Sequence, residues 1–111
     1  MLRATLLAMT TALIVTAPTI VFADDTGFAY SHSLRREHGK LCMADHWHSG
    51  SGSGRTKAAA KRAAMRSWID FTNFEYGSVW ARFSRAGSKS VRYTKESSGW
   101  GATVDARPCR R

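Results

Sequence analysis

The sequence KAAAKRAAMRSWIDFTNFEYG, residues 57–77, carries the strongest local pattern in the chain and decides its fold. Small or apolar residues recur there at spacings of four, four and three, which places them on one helix face: Ala60, Ala64, Trp68 and Phe71. Charged and amide side chains fill the opposite side. Thr56 is placed to cap the amino end, and Gly77 stands where helices commonly stop. The pattern predicts one long helix with an apolar face that needs a partner.

The segments around this helix predict short elements. Residues 41–48 begin apolar and then alternate, and residues 89–95 and 100–107 alternate on either side of a turn at 96–99. A second, short helix is predicted over 78–85. The order strand, long helix, short helix and two-stranded hairpin predicts a small single α+β domain. In this arrangement the long helix covers one face of a three-stranded sheet.

Two other segments lack a helical or strand signal. Residues 49–54, SGSGSG, predict a flexible connector, because glycines give the backbone access to positive φ and to close approach. Residues 24–39 mix both charge signs with Gly, Ser and His, which predicts a flexible or loosely docked arm. The folded domain is therefore expected to span residues 40–111.

The first 23 residues predict a cleaved export signal. Arg3 supplies a positive start, residues 6–15 are mostly apolar, and Val21 and Ala23 are small residues at the positions that a signal peptidase reads. A membrane anchor is the competing interpretation, but threonines and Pro18 interrupt the apolar run, and it ends without a cluster of charges. We expect a periplasmic or extracellular protein that begins at Asp24.

Two cysteines, Cys42 and Cys109, then predict one intramolecular disulfide in an oxidising compartment. The bridge would close a loop of 68 residues, counting both cysteines. In the chain-entropy model, closing such a loop stabilises a small domain by about 4 kcal/mol. A free thiol or a bridge between chains is the alternative.

The charge balance predicts an anionic partner. Seventeen Lys and Arg face eight Asp and Glu, and the net charge of +9 falls to +8 when Arg3 leaves with the signal. A phosphate-bearing envelope component, a polysaccharide or an acidic protein would be attracted, and peripheral contact with a membrane surface is compatible. Nucleic acid is disfavoured because the aromatic residues stand at core-like spacings. The candidate anion-binding residues lie at the start of the long helix: Arg55, Lys57, Lys61, Arg62 and Arg66. A charge that only keeps the domain soluble is the alternative.

A histidine pair predicts a second kind of site. On a strand, His46 and His48 would point to the same side and could share a zinc, copper or nickel ion, with His32 or His38 completing the set. The alternative is a half-exposed strand on which Trp47 faces the core and both histidines face solvent. A divalent metal is therefore the one cofactor that the sequence suggests.

Catalytic motifs do not stand out. The chain lacks a G-x-S-x-G turn, and its two cysteines are better explained by a bridge than by a nucleophile. The sequence thus favours a binding protein over an enzyme. A small accessory or inhibitor subunit of a larger exported protein is a third hypothesis, which an exposed apolar patch around Tyr76, Trp80 or Trp100 would support.

Overall fold

The computed structural model describes residues 10–19 and 23–111. The predicted export signal, residues 1–23, therefore lies partly outside the described residues. Within those residues, no helix is long and apolar enough to cross a membrane.

The domain is α+β, with one long helix and two antiparallel sheets of three strands each. The elements are β1 (Leu34–Glu37), β2 (Lys40–Met43), β3 (His48–Gly54), α1 (Lys57–Tyr76), β4 (Gly87–Glu96), β5 (Gly99–Arg107) and β6 (Cys109–Arg110). Short 3-10 turns at Phe28–Ser31, Ser78–Trp80 and Phe83–Arg85 connect them. The strand order is β3-β5-β4 in the sheet under α1, here called the helix-covered sheet. It is β1-β2-β6 in the other, the disulfide sheet.

The helix packs on its sheet through small residues and one tryptophan. Ala60, Ala64 and Trp68 are fully buried against Val104 and the alanines of β5. Small side chains let α1 approach closely, and Trp68 donates its indole N–H to the Ala106 carbonyl oxygen at 3.2 Å. The predicted fold class, with a helix over one face of a three-stranded sheet, is confirmed.

The predicted connector at 49–54 is wrong, because these residues form most of β3. Every residue of β3 pairs with β5, from His48 opposite Ala106 to Gly54 opposite Trp100. The glycines alternate toward α1, and a Cβ at Gly50 would collide with the backbone of Ala64 and Trp68. The strand is held by backbone hydrogen bonds to β5 and by the close packing of its glycines on α1. It contains no large apolar residues, so hydrophobic alternation could not reveal it.

The predicted strand over 41–48 also differs from the structure. β2 ends at Met43, residues 44–47 form a loop, and the chain enters the other sheet at His48. One apolar-to-alternating run therefore contains the end of one strand and the start of another.

Residues 24–39, predicted as a flexible or loosely docked arm, contain a 3-10 turn and β1. Backbone groups fasten the segment, since the amides of Ser78 and Val79 donate to the carbonyl oxygens of Ala23 and Asp24. β1 pairs with β2 across a two-residue turn, His38 and Gly39, both with positive φ. Because this pairing depends on main-chain hydrogen bonds, a strand of four residues shows little alternation of polar and apolar side chains.

The carboxyl-terminal elements follow the prediction closely. The hairpin of β4 and β5 surrounds the expected turn, and alternate residues of β5 are buried: Ala102, Val104 and Ala106. The predicted short helix over 78–85 is instead two 3-10 turns separated by Ala81 and Arg82.

The Cys42–Cys109 disulfide is present and joins β2 to β6, where the two residues face each other. Nearby, Arg107 is only 4% exposed and links the two sheets. Its guanidinium donates to both carboxylate oxygens of Glu37, at 2.7 and 2.8 Å, and to the Met43 carbonyl oxygen at 2.6 Å. The hydrogen bond from Arg107 also lowers the pKa of Glu37.

Candidate metal centre

Three histidines and one glutamate gather at the carboxyl end of α1, and we call them the histidine cluster: His32, His46, His48 and Glu75. They come from four separate segments: the residue after the first 3-10 turn, the loop between β2 and β3, the first residue of β3, and the last turn of α1. The rings of His32 and His46 stack with centroids 4.7 Å apart, and those of His46 and His48 lie 5.1 Å apart. Folding therefore brings together imidazoles that are up to 16 positions apart in the chain.

Three members of this cluster bring their ligand atoms close together. One ligand atom each of His32, His46 and Glu75 lies within 4.8 Å of the others. Tetrahedral zinc ligands at ~2.0–2.1 Å from the ion stand roughly 3.3 Å apart, so side-chain shifts of about 1 Å would close the set. All three residues are partly exposed, which leaves a path for an ion to enter.

His48 forms the buried base of the cluster, with 1% of its surface exposed. Its Nδ1 lies 2.8 Å from the Thr72 hydroxyl. Its Nε2 has no hydrogen-bond partner among the described residues and lies 3.6 Å from Glu75 Oε2. Burial lowers the pKa of His48 to about 4, aided by His46 and His32 and opposed by the charge of Glu75. The ring is therefore neutral at neutral pH, and the facing carboxylate favours the tautomer with its proton on Nε2.

Tyr76 holds the cluster from the side of the helix. It is fully buried, stacks on His48 with centroids 4.9 Å apart, and its hydroxyl lies 3.0 Å from His32 Nε2. Burial, together with the hydrogen bond and charge of Glu75, raises the pKa of Tyr76, so the phenol keeps its proton. The backbone is also tied here, because the Thr26 hydroxyl donates to the Glu75 carbonyl oxygen at 2.6 Å.

The structure places the predicted metal residues differently from a strand face. His46 lies in the loop and His48 at the start of β3, yet their rings are neighbours. His32 joins them, whereas His38 lies in the β1–β2 turn. The alternative, in which Trp47 faces the core and both histidines face solvent, is wrong. Trp47 is 48% exposed and lies over the Arg107 guanidinium, while His48 is buried.

Sequence reasoning missed the helix residues of this site. The spacing of four that runs through Ala60, Ala64 and Trp68 continues to Thr72 and Tyr76, which are both fully buried. We predicted Phe71 on the inner face instead, and it is 46% exposed. Extending the spacing of four would have brought Thr72 and Tyr76 to the same face.

A second group of potential ligands does not form a site. Glu37, Cys42 and Cys109 lie close together, but both sulfur atoms are consumed by the disulfide.

The predicted anion-binding residues are all exposed but do not converge on one pocket. Lys57 Nζ lies over the ring of Trp100 at 4.6 Å, and Lys61 borders a small cavity next to β4. The helical repeat turns Arg62 and Arg66 away from these two lysines. Within residues 10–19 and 23–111, none of the five residues forms an ion pair: Arg55, Lys57, Lys61, Arg62 and Arg66. The apolar patch considered for an accessory subunit is absent at Tyr76 and Trp80, which are buried.

The chain matches no protein-family model, no curated protein and no solved structure. Its function must therefore be inferred from the geometry of its own sites.

Proposed function

We propose that this protein is an exported metal-binding protein that holds one divalent transition-metal ion at the histidine cluster. His32, His46 and Glu75 are the proposed ligands. The observation that carries the proposal is the convergence of their ligand atoms, within 4.8 Å of one another, from separate chain segments. Imidazole and carboxylate donors suit zinc, copper and nickel.

His48 supplies the support that such a site requires. Ligating carboxylates in proteins are usually held by a hydrogen bond from behind, which fixes their orientation. The buried Nε2 of His48, 3.6 Å from Glu75 Oε2, is placed for this role, and Thr72 holds the ring by its other nitrogen. A small rotation of Glu75 toward an ion and this nitrogen would complete both contacts.

The exported location is part of the proposal. The signal-like residues 1–23 support it, and so does the disulfide, because such bonds persist mainly in oxidising compartments. Binding of a free metal ion there requires deprotonated imidazole ligands, so metal affinity should fall with acidification.

Zinc titration of the full chain by calorimetry tests this proposal. We expect one ion per chain and a loss of at least tenfold in affinity for each of His32→Ala, His46→Ala and Glu75→Gln. His38→Asn is the matched control, because it removes an exposed histidine outside the cluster. Zinc affinity that is equal in the control and the three cluster variants would reject the site.

A second candidate function is recognition of an anionic partner by the exposed basic residues. It is supported by the five cations at the start of α1, which form no ion pair within the described part of the chain. Triple reversal of Lys61, Arg62 and Arg66 to Glu should abolish retention on an anionic matrix at moderate salt. The same number of reversals at Arg36, Lys89 and Lys95 is the control. Equal loss in both triple variants would indicate diffuse attraction instead.

A further inference from the structure

A cavity of about 750 Å³ forms an open groove between α1 and the 3-10 turns that follow it. It shares no residue with the histidine cluster. Its size is within the range of small-molecule sites, which are typically ~300–1,000 Å³.

The floor of this groove is apolar. Met65, Ile69 and Phe83 line it and pack on the core beneath α1, while Val79 belongs to the second core around Trp80. All four side chains are partly buried, so the groove is where both cores reach the surface. An apolar ligand segment placed here would remove this surface from water.

The wall of the groove is cationic. Arg82 and Arg85 line it, and neither forms an ion pair within the part of the chain that the structure describes. Desolvation and the positive charges of Arg111 and Arg82 lower the pKa of Arg85. The one acidic residue in the lining is Asp24, whose Oδ1 accepts a hydrogen bond from the Ser78 hydroxyl at 3.1 Å.

We infer that this groove binds a small amphiphilic anion, with its apolar chain on Met65, Ile69 and Phe83 and its head group on Arg82 and Arg85. Guanidinium groups match carboxylate and phosphate oxygens in pairs, and charge complementarity rejects a cationic head. This site is independent of the proposed metal centre.

Fluorescence titration of the full chain with dodecanoate, below its micellar concentration, tests the inference. Dodecylammonium and dodecanol are the matched ligands of opposite and zero charge. We expect dodecanoate to bind at least tenfold more tightly than either of them. Equal affinity for all three would overturn the assignment, because the arginines would then contribute nothing.

Variants identify the site on the protein. Arg82→Gln with Arg85→Gln should lose at least tenfold in dodecanoate affinity, and Arg36→Gln with Lys95→Gln is the control of equal charge. Asp24→Asn should tighten binding, since it removes the only acid of the groove and keeps an oxygen for Ser78. Equal losses in the two double variants would reduce the effect to net charge and overturn the proposal.

A vesicle assay distinguishes the source of the anionic head. If phosphatidylglycerol vesicles bind the protein and soluble dodecanoate does not, the anionic contact is with a membrane surface and not with the groove. That result would overturn the inference. Urea midpoints equal to that of the wild type in the arginine variants verify that they remain folded.

Discussion

Acidification should destabilise this protein through one buried histidine. His48 has a pKa of about 4 in the folded chain, whereas an unfolded histidine titrates near its usual value of ~6.5. Between these values the unfolded state binds a proton that the folded state does not. The free energy of unfolding therefore falls as pH drops below about 6.5, and the contribution is lost completely below about pH 4.

The magnitude follows from the two pKa values. At pH 5 the unfolded histidine is almost fully protonated and the folded one is not, which costs about 2 kcal/mol relative to pH 8. The limit at lower pH is about 3 kcal/mol, since a tenfold difference in proton affinity between the folded and unfolded chain corresponds to ~1.4 kcal/mol. Such a loss lowers the urea midpoint by about 1 M or more.

Urea unfolding of the full chain at pH 8 and pH 5, with a metal chelator present, measures this effect. His48→Asn should be less stable at pH 8 but should lose most of the pH dependence, because asparagine does not titrate. Its amide can still meet the Thr72 hydroxyl, which keeps the variant folded. His38→Asn is the matched control and should keep the wild-type slope. A wild-type midpoint that does not change between the two pH values, or an unchanged slope in His48→Asn, would refute the reasoning.

Three further outcomes follow from the packing. Gly50→Ala should cost about 3 kcal/mol or more in urea unfolding because its Cβ meets helix backbone, whereas Ser51→Ala on the outer face should change stability by less than about 0.5 kcal/mol. Paired replacement of Cys42 and Cys109 by Ala should lower the free energy of unfolding by about 2–5 kcal/mol, and an unchanged midpoint would contradict a stabilising bridge. Arg107→Met should cost about 2–3 kcal/mol because it removes the donor to the Met43 carbonyl oxygen and leaves Glu37 with Arg35 alone; a thermal melt within a degree of wild type would disagree.

The helix and the hairpin could be predicted because side chains carry their signals. The spacing of four through Ala60, Ala64 and Trp68 and the alternation in β5 both reflect burial, which acts on side chains. The disulfide followed from having two cysteines in an expected oxidising compartment. These features define the fold class.

The elements and contacts that the sequence did not predict depend on the main chain or on residues far apart in the chain. β3 presents glycines to α1, and β1 is fixed by backbone pairing with β2, so neither has a side-chain pattern. The approach of His32 to His46 and Glu75 depends on how three connections fold back on the end of α1. Local periodicity contains no information on such long-range contacts, and metal binding by the histidine pair remains a prediction.

The alternating glycines of β3 have a consequence for how the strand finds its partner. A slip of one residue would drive serine Cβ atoms into the helix backbone and is sterically forbidden. A slip of two residues keeps glycine against the helix, so the repeat alone does not distinguish it from the native register. His48, buried at the start of the strand and held by Thr72, has no equivalent two positions further along, where Gly50 stands. The histidine thus favours the native register, because a two-residue slip would remove it from its contact with Thr72.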